Sequence, residues 1–370
     1  MIKQLIKFIQ YAFITISLIS IVACCSSQDA SKEKQQNKAI QKTEKLIEIT
    51  APVGQETVIM GEKFDIHFKT KKTIVIDSVI GLADGEIVKI DHLTENKFTC
   101  TPPAKICGRK NIRLTIYHSD SLKETENIKI MLLPAESPGQ IKYKVLRSFK
   151  HDDKAYTQGL LYYNGLLYES TGRKTSYSSL RCIDPKSGEI LRKKELEPKY
   201  FGEGISLVNK EIYMLTYHAQ LVFVFDLATF ELKRKYDLQS REGWGLATYN
   251  NLLLASDGSA YIYFYEPEYF SLTHQIEVCN NQGLVNSINE LEYTPYGLFA
   301  NIYGTDKIVL IDVETGIVKA ELNLSDLFPE NTPADIDHVL NGIAYDYNTG
   351  NFYVTGKQWP VMYELSLSLD

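Results

Sequence analysis

Between Leu46 and Pro134 apolar and polar residues alternate with a period of two, as in Phe64-Asp65-Ile66-His67-Phe68, Ile112-Arg113-Leu114-Thr115-Ile116 and Ile128-Lys129-Ile130-Met131-Leu132. A two-residue period turns one face of each run toward a core and leaves the other in water, so the runs predict half-buried β-strands. Val53-Gly54, Met60-Gly61 and Asp84-Gly85 separate them as turns. About seven short strands in a segment of this length predict an immunoglobulin-like sandwich over residues 46–135. His67, His92 and His118 stand singly in it and are expected to be exposed. No catalytic constellation occurs there, so a spacer or docking role is the default.

From residue 141 onward the pattern repeats. Five segments begin with a polar or aromatic residue that leads into an apolar strand: Gln158-Gly159-Leu160, Glu203-Gly204-Ile205, Trp244-Gly245-Leu246, Asn289-Glu290-Leu291 and Asn341-Gly342-Ile343. Their openings are spaced by 45, 41, 45 and 52 residues. About ten residues after each opening comes a second apolar strand, then a third ending in an acidic or turn residue, then a fourth. Four strands per unit at a period near 46 is the signature of a β-propeller, and five units predict five blades over 141–370. The fold class expected is therefore all-β. The fifth unit stops after its third strand, and an unassigned strand at 143–149 precedes the first; that strand is expected to complete the fifth blade and hide an open edge.

In such a ring the start of each first strand and the end of each second strand lie at one mouth of the central channel. That mouth should gather Gln158, Glu203, Trp244, Asn289 and Asn341. Fourteen residues on from the first four of these it should gather Gly172, Tyr217, Gly258 and Tyr303, and in the fifth blade, whose hairpin is longer, Lys357. Chemically different side chains at equivalent positions predict a site rather than a structural ring.

Composition narrows the picture. Of 24 tyrosines only Tyr11 and Tyr117 precede residue 141, which sharpens a boundary near 135–142. With 40 Lys+Arg against 46 Asp+Glu the net charge is −6 and no strong basic block exists, which argues against a nucleic-acid partner. At the N-terminus Lys3 and Lys7 precede an uncharged run from Tyr11 to Ala23, too short to span a membrane comfortably. It ends in Ile21-Val22-Ala23-Cys24, which resembles a bacterial lipobox. The resemblance implies removal of residues 1–23, lipid attachment at Cys24, and a place in the bacterial cell envelope, held to the membrane by that lipid. Residues 24–45 read as a solvated tether. Cys100 and Cys107 are candidates for a disulfide in that compartment, whereas Cys182 and Cys279 are expected as buried free thiols. No cysteine or histidine spacing suits zinc, and no cofactor is expected.

Several ordered motifs carry a resemblance. Tyr156-Thr157-Gln158-Gly159-Leu160, Glu169-Ser170-Thr171-Gly172, Phe201-Gly202-Glu203-Gly204, Glu242-Gly243-Trp244-Gly245-Leu246, Ser256-Asp257-Gly258-Ser259, Asn289-Glu290-Leu291-Glu292, Ala300-Asn301, Leu340-Asn341-Gly342-Ile343-Ala344 and Thr355-Gly356-Lys357-Gln358-Trp359-Pro360 are similar to those of the plant- and bacterial-type glutaminyl-peptide cyclotransferases, which are five-bladed propellers. The resemblance implies an enzyme that closes the N-terminal glutamine of a peptide or protein into pyroglutamate and releases ammonia. It makes Glu203 the acid/base and places Gln158, Trp244, Asn289 and Lys357 in the site. Tyr217 and Tyr303 stand where the family typically has tryptophan; with Trp244 they would wall the pocket, and Asn341 would join them in binding substrate. Two other readings of the ring exist. A divalent cation held by Glu203, Asn289, Asn341 and Asp257 would make a lactonase-like hydrolase, and a propeller can bind peptides or glycans without catalysis. Asp335, Asp337 and His338 look like metal ligands but sit in a proline-bearing loop expected to be solvated.

Overall fold

The computed structural model describes residues 45–368 except 95, 104, 120–121 and 173–176. The leader, Cys24 and the tether up to residue 44 lie outside the described residues. Elsewhere the chain is β-structure, and among the described residues the helical content is one 3-10 turn, Ser325–Leu327.

Residues 47–133 form eight strands in the sheet order Ile47–Ala51, Phe64–Thr70, Lys97–Thr101, Glu86–Leu93, Ile76–Ala83, Gly108–His118, Leu122–Leu133, Gln55–Ile59. All neighbours are antiparallel except the last pair. The alternation works as read: Phe64, Ile66 and Phe68 are buried, whereas Asp65, His67 and Lys69 are exposed. One core unites these residues with Phe98, Ile112, Leu114, Ile116, Ile128 and Ile130.

Two expectations fail here. His118 is buried, because it continues the inward parity of Ile112, Leu114 and Ile116 along one strand. Its Nε2 lies 3.7 Å from a carboxylate oxygen of Glu124, which in turn accepts the Leu46 and Ile47 amides. Cys100 and Cys107 are both free. Cys100 points into the core beside Phe98, whereas Cys107 belongs to a separate cluster with Leu133 and Cys279.

Five blade sheets follow: four are four-stranded and antiparallel, and that of the fourth blade carries a fifth strand, Gly139–Gln140, added parallel outside Val318–Asn323. Their inner strands are Thr157–Tyr163, Gly202–Val208, Leu246–Tyr249, Ile288–Thr294 and Leu340–Tyr345, and each packs against the inner strands of two neighbours, closing a ring. The blade-five sheet runs Lys142–Lys150, Val361–Ser368, Phe352–Gly356, Leu340–Tyr345 from rim to axis, so the early strand is its outermost member. The closure is thus antiparallel pairing between segments more than two hundred residues apart, Tyr143 with Leu367 and Phe149 with Met362.

A buried polar clamp reinforces this closure. His151, just past the outer strand, sets Nδ1 2.7 Å from the Trp359 carbonyl oxygen and Nε2 2.9 Å from Glu169 in blade one. Glu169 also accepts from Thr157 Oγ1 at 2.6 Å and from Arg181 at 3.4 Å, and Arg181 reaches Asp152 at 2.9 Å. The N-terminal β domain and the propeller pack together within one compact unit. The Glu277 carboxylate, at the end of blade three, accepts the Arg109 amide and guanidinium, and Cys107 N donates to Thr315 O at 3.0 Å.

Candidate active site

In four of the five inner strands the pairing register slips at the first residues: between Thr157 and Gly159, Gly202 and Ile205, Ile288 and Leu291, and Leu340 and Ile343. The slipped stretches contain Gln158, Glu203, Asn289 and Asn341. A bulge re-aims a side chain that regular alternation would send into the blade, and here it supplies the ring. Trp244 sits just outside its strand, tied there by its own N–H to Ser256 O at 3.0 Å.

After the opening position comes glycine in four blades: Gly159, Gly204, Gly245 and Gly342. Blade four has Glu290 instead. Its carboxylate accepts Leu160 N of blade one at 3.1 Å and Ile343 N of blade five at 2.8 Å, so one side chain ties three blades together at the axis.

Above this layer is a cavity of about 260 Å³ walled by Tyr156, Phe201, Tyr217, Trp244 and Tyr303, with Gln158, Glu203, Asn289 and Lys357 as its polar groups. The aromatic wall consists of two groups of touching rings. Tyr156 meets Phe201 edge-on at 6.2 Å, Phe201 meets Tyr217 at 5.7 Å, and Trp244 meets Tyr303 at 5.5 Å. Lys357 donates to Gln158 Oε1 and lies 4.7 Å from the Tyr156 ring centre and 5.7 Å from that of Tyr303. Gly172 and Gly258, expected at the mouth, serve as seats. A Cβ on Gly172 would fall 2.3 Å from Phe201, and one on Gly258 2.7 Å from Trp244.

Burial controls the electrostatics. It pushes the Glu203 carboxyl well above the usual carboxylate range; Lys357 opposes the shift and Glu242 adds to it. Burial also brings the Lys357 ammonium down to about 8, against the pull of Glu203, Glu290 and Asp337. An acid raised and a base lowered toward neutrality in one pocket is the condition for proton transfer near pH 7.

The family model for glutamine cyclotransferase matches residues 115–367, which takes in the whole ring. The chain belongs to the glutamine cyclotransferase family. It is 34% identical over 228 residues to a glutaminyl-peptide cyclotransferase of Arabidopsis thaliana, covering 60% of this chain and 71% of that protein. The solved glutaminyl cyclase of Myxococcus xanthus superposes with a TM-score of 0.59 at 30% identity, over 63% of this chain and all of that one.

In this cyclotransferase ring most of the sequence-derived residues converge, and one does not. Asn341 is buried below the cavity, donating Nδ2 to Thr157 O at 2.9 Å; it joins blade five to blade one. Asp257 accepts from Ser259 and from Tyr263 at 2.9 Å, so it too is spent on local structure. Of the four oxygen groups considered for a cation, only Glu203 and Asn289 line the cavity, and Lys357 shares it. The Asp335–His338 loop is largely exposed, as expected. Asp335 accepts from the Asp337 amide and pairs with His338, whose carbonyl takes the buried Trp359 indole N–H at 2.8 Å.

Two lining residues, Tyr156 and Phe201, were missed by counting from the openings. Each lies two residues before one, and Glu242 holds that same place in blade three, accepting the Trp244 indole N–H at 3.1 Å. The signal was a second ring in register with the first.

Proposed function

We propose that this chain converts the N-terminal glutamine of peptides or proteins to pyroglutamate with release of ammonia, using the aromatic-walled cavity. Family membership supplies the reaction class. The observation that carries the assignment of roles is the pairing of one buried carboxyl, Glu203, with one buried amine, Lys357, both shifted toward neutrality in a pocket sized for a single side chain.

The substrate's α-amine attacks the Cδ of its own side-chain amide, closing a five-membered ring. Nucleophile and electrophile belong to one residue, so the pocket's main work is to hold the folded-back conformer and exclude water. Trp244, Tyr303, Tyr217, Phe201 and Tyr156 do this. Glu203 takes the proton the amine loses on attack. It returns a proton to the departing nitrogen, which leaves as ammonia as the C–N bond breaks. The oxygen of the tetrahedral intermediate gains negative charge, and the Lys357 ammonium with the amides of Asn289 and Gln158 supplies donors to it.

Incubation of the full chain in detergent with a Gln-initiated peptide tests this. Ammonia release with the mass loss of one NH₃ is expected; binding without turnover would instead favour a peptide-binding propeller. Around the enzyme we read a lipid-anchored envelope protein, on the strength of the Ile21–Cys24 motif. We read residues 46–135 as an immunoglobulin-like spacer, on the strength of eight strands around one core.

A further inference from the structure

We infer that Cys107 and Cys279 are a disulfide-forming pair that fastens the N-terminal β domain to the propeller. The two residues lie 172 positions apart yet share one buried cluster with Leu133, packed against Met60, Met131, Leu284 and Ile317. Their backbones are fixed by consecutive carbonyls of one turn: Cys107 N donates to Thr315 O at 3.0 Å, and Cys279 N to Gly316 O at 2.9 Å. The Cys107 thiol lies 3.6 Å from the Glu277 carbonyl oxygen and close over Gly316, where it points toward the segment that carries Cys279. The neighbouring Cys107 thiol, together with burial, pushes the Cys279 thiol far up. With the Cys279 thiol pushed up by burial, the bond belongs to folding, formed as the two segments come together and before the cluster is sealed from solvent.

The chemistry is thiol–disulfide exchange. One thiolate attacks a disulfide donor, either the disulfide of a thiol oxidase or oxidised glutathione, and the second thiolate resolves the mixed disulfide. One S–S bond forms, two protons leave, and the two electrons reduce the donor to its thiols. Cys100 and Cys182 provide internal controls, because each is buried in a different core cluster.

The full chain is unfolded, reduced, and refolded with an oxidised/reduced glutathione couple. It is then alkylated in denaturant with and without reductant and mapped by mass spectrometry. Cys107 and Cys279 should resist alkylation until reduced and appear as one cross-linked peptide two hydrogens lighter than its parts, with Cys100 and Cys182 alkylated throughout. Reduction, or Cys279→Ser, should lower the melting temperature by roughly 4–12 °C, whereas Cys182→Ser in the oxidised chain should leave the cross-link intact. Alkylation of Cys107 and Cys279 without reductant, or recovery of Cys107 linked to Cys100, would overturn the inference.

Discussion

At the scale of single residues the site rests on two ionisable groups held away from their ordinary behaviour. Glu203→Gln preserves shape but cannot carry a proton, so kcat should fall about 10²–10⁴-fold, roughly 3–5 kcal/mol of barrier, with the melting temperature held. Full activity of that variant in ammonia release would remove Glu203 from the mechanism. The pH profile of kcat follows from the signs of the two shifts. Glu203 acts as base only above its raised pKa, and Lys357 keeps its charge only below about 8, so activity should peak between an acid limb displaced upward and an alkaline limb near that value. Lys357→Arg, whose charge persists at all accessible pH, should erase the alkaline limb in whatever activity remains. Glu242 offers a finer test. It holds the Trp244 indole and its charge raises Glu203. Glu242→Gln can still accept from the indole but loses the charge, so the acid limb should move to lower pH with little change in KM. An unmoved limb would show that Glu242 does not reach Glu203 electrostatically.

At the scale of the element, the blade is what the sequence makes most legible. A four-strand period survives because each strand must bury alternate residues between blades, and that requirement writes itself into apolar spacing. The missing fourth strand of the fifth unit and the spare strand at 143–149 were readable for the same reason, since an unpaired edge is costly to leave open. The bulges were not readable, because a one-residue slip changes geometry without changing composition. Nor was the clamp around His151, whose partners Glu169 and Trp359 come from distant segments. It carries its own pH prediction. Burial disfavours the charged imidazole, but Glu169 outweighs burial and raises the His151 pKa above its usual value, while the Glu169 pKa is lowered by the same pairing with His151 and by Arg181. The histidine contribution is complete below the unfolded pKa of about 6.5 and is lost as pH rises through the higher folded value. The glutamate contribution is present above about 4.3 and is lost as pH falls through the lowered one. The melting-temperature gap between the wild-type chain and His151→Ala should therefore be widest between about pH 5 and 6.5 and narrow by pH 9. A gap constant over that range would mean that the clamp works as a neutral hydrogen bond. Removing the outer strand should cost more than either: a chain that begins at Asp152 should melt well below one that begins at Ser137.

At the scale of the whole molecule, what sequence could not supply is contact between separately patterned regions. Strands such as Phe64–Thr70 and Gly108–His118 of the N-terminal domain announce their core by alternation, but nothing in that pattern says which residues face the propeller. Arg109 reads as an ordinary outward cation on a strand, and Glu277 as the polar end of a blade. Only the docked structure brings the guanidinium and the amide of Arg109 onto one buried carboxylate, with Gly108 lying against the Glu277 side chain. The asymmetry between the partners decides how this contact should behave. The Arg109 side chain is about half exposed, so its ion pair alone contributes little. Glu277 is buried, and removing it strands the Arg109 amide, which donates to Glu277 Oε2 at 2.5 Å, without an acceptor. Glu277→Ala should therefore destabilise the junction more than Arg109→Ala, and Glu277→Gln should recover much of the loss by accepting the amide again. In calorimetry under reducing conditions the wild-type chain should unfold in one transition. Glu277→Ala should separate an earlier transition of the N-terminal domain from that of the propeller. None of these residues lines the cavity, so cyclisation below the first transition should proceed at the wild-type rate. If Arg109→Ala and Glu277→Ala were equally costly, the exposed ion pair would be the fastening; if Glu277→Ala still melted as one unit, the apolar cluster around Leu133 and Ile317 would hold the halves together by itself.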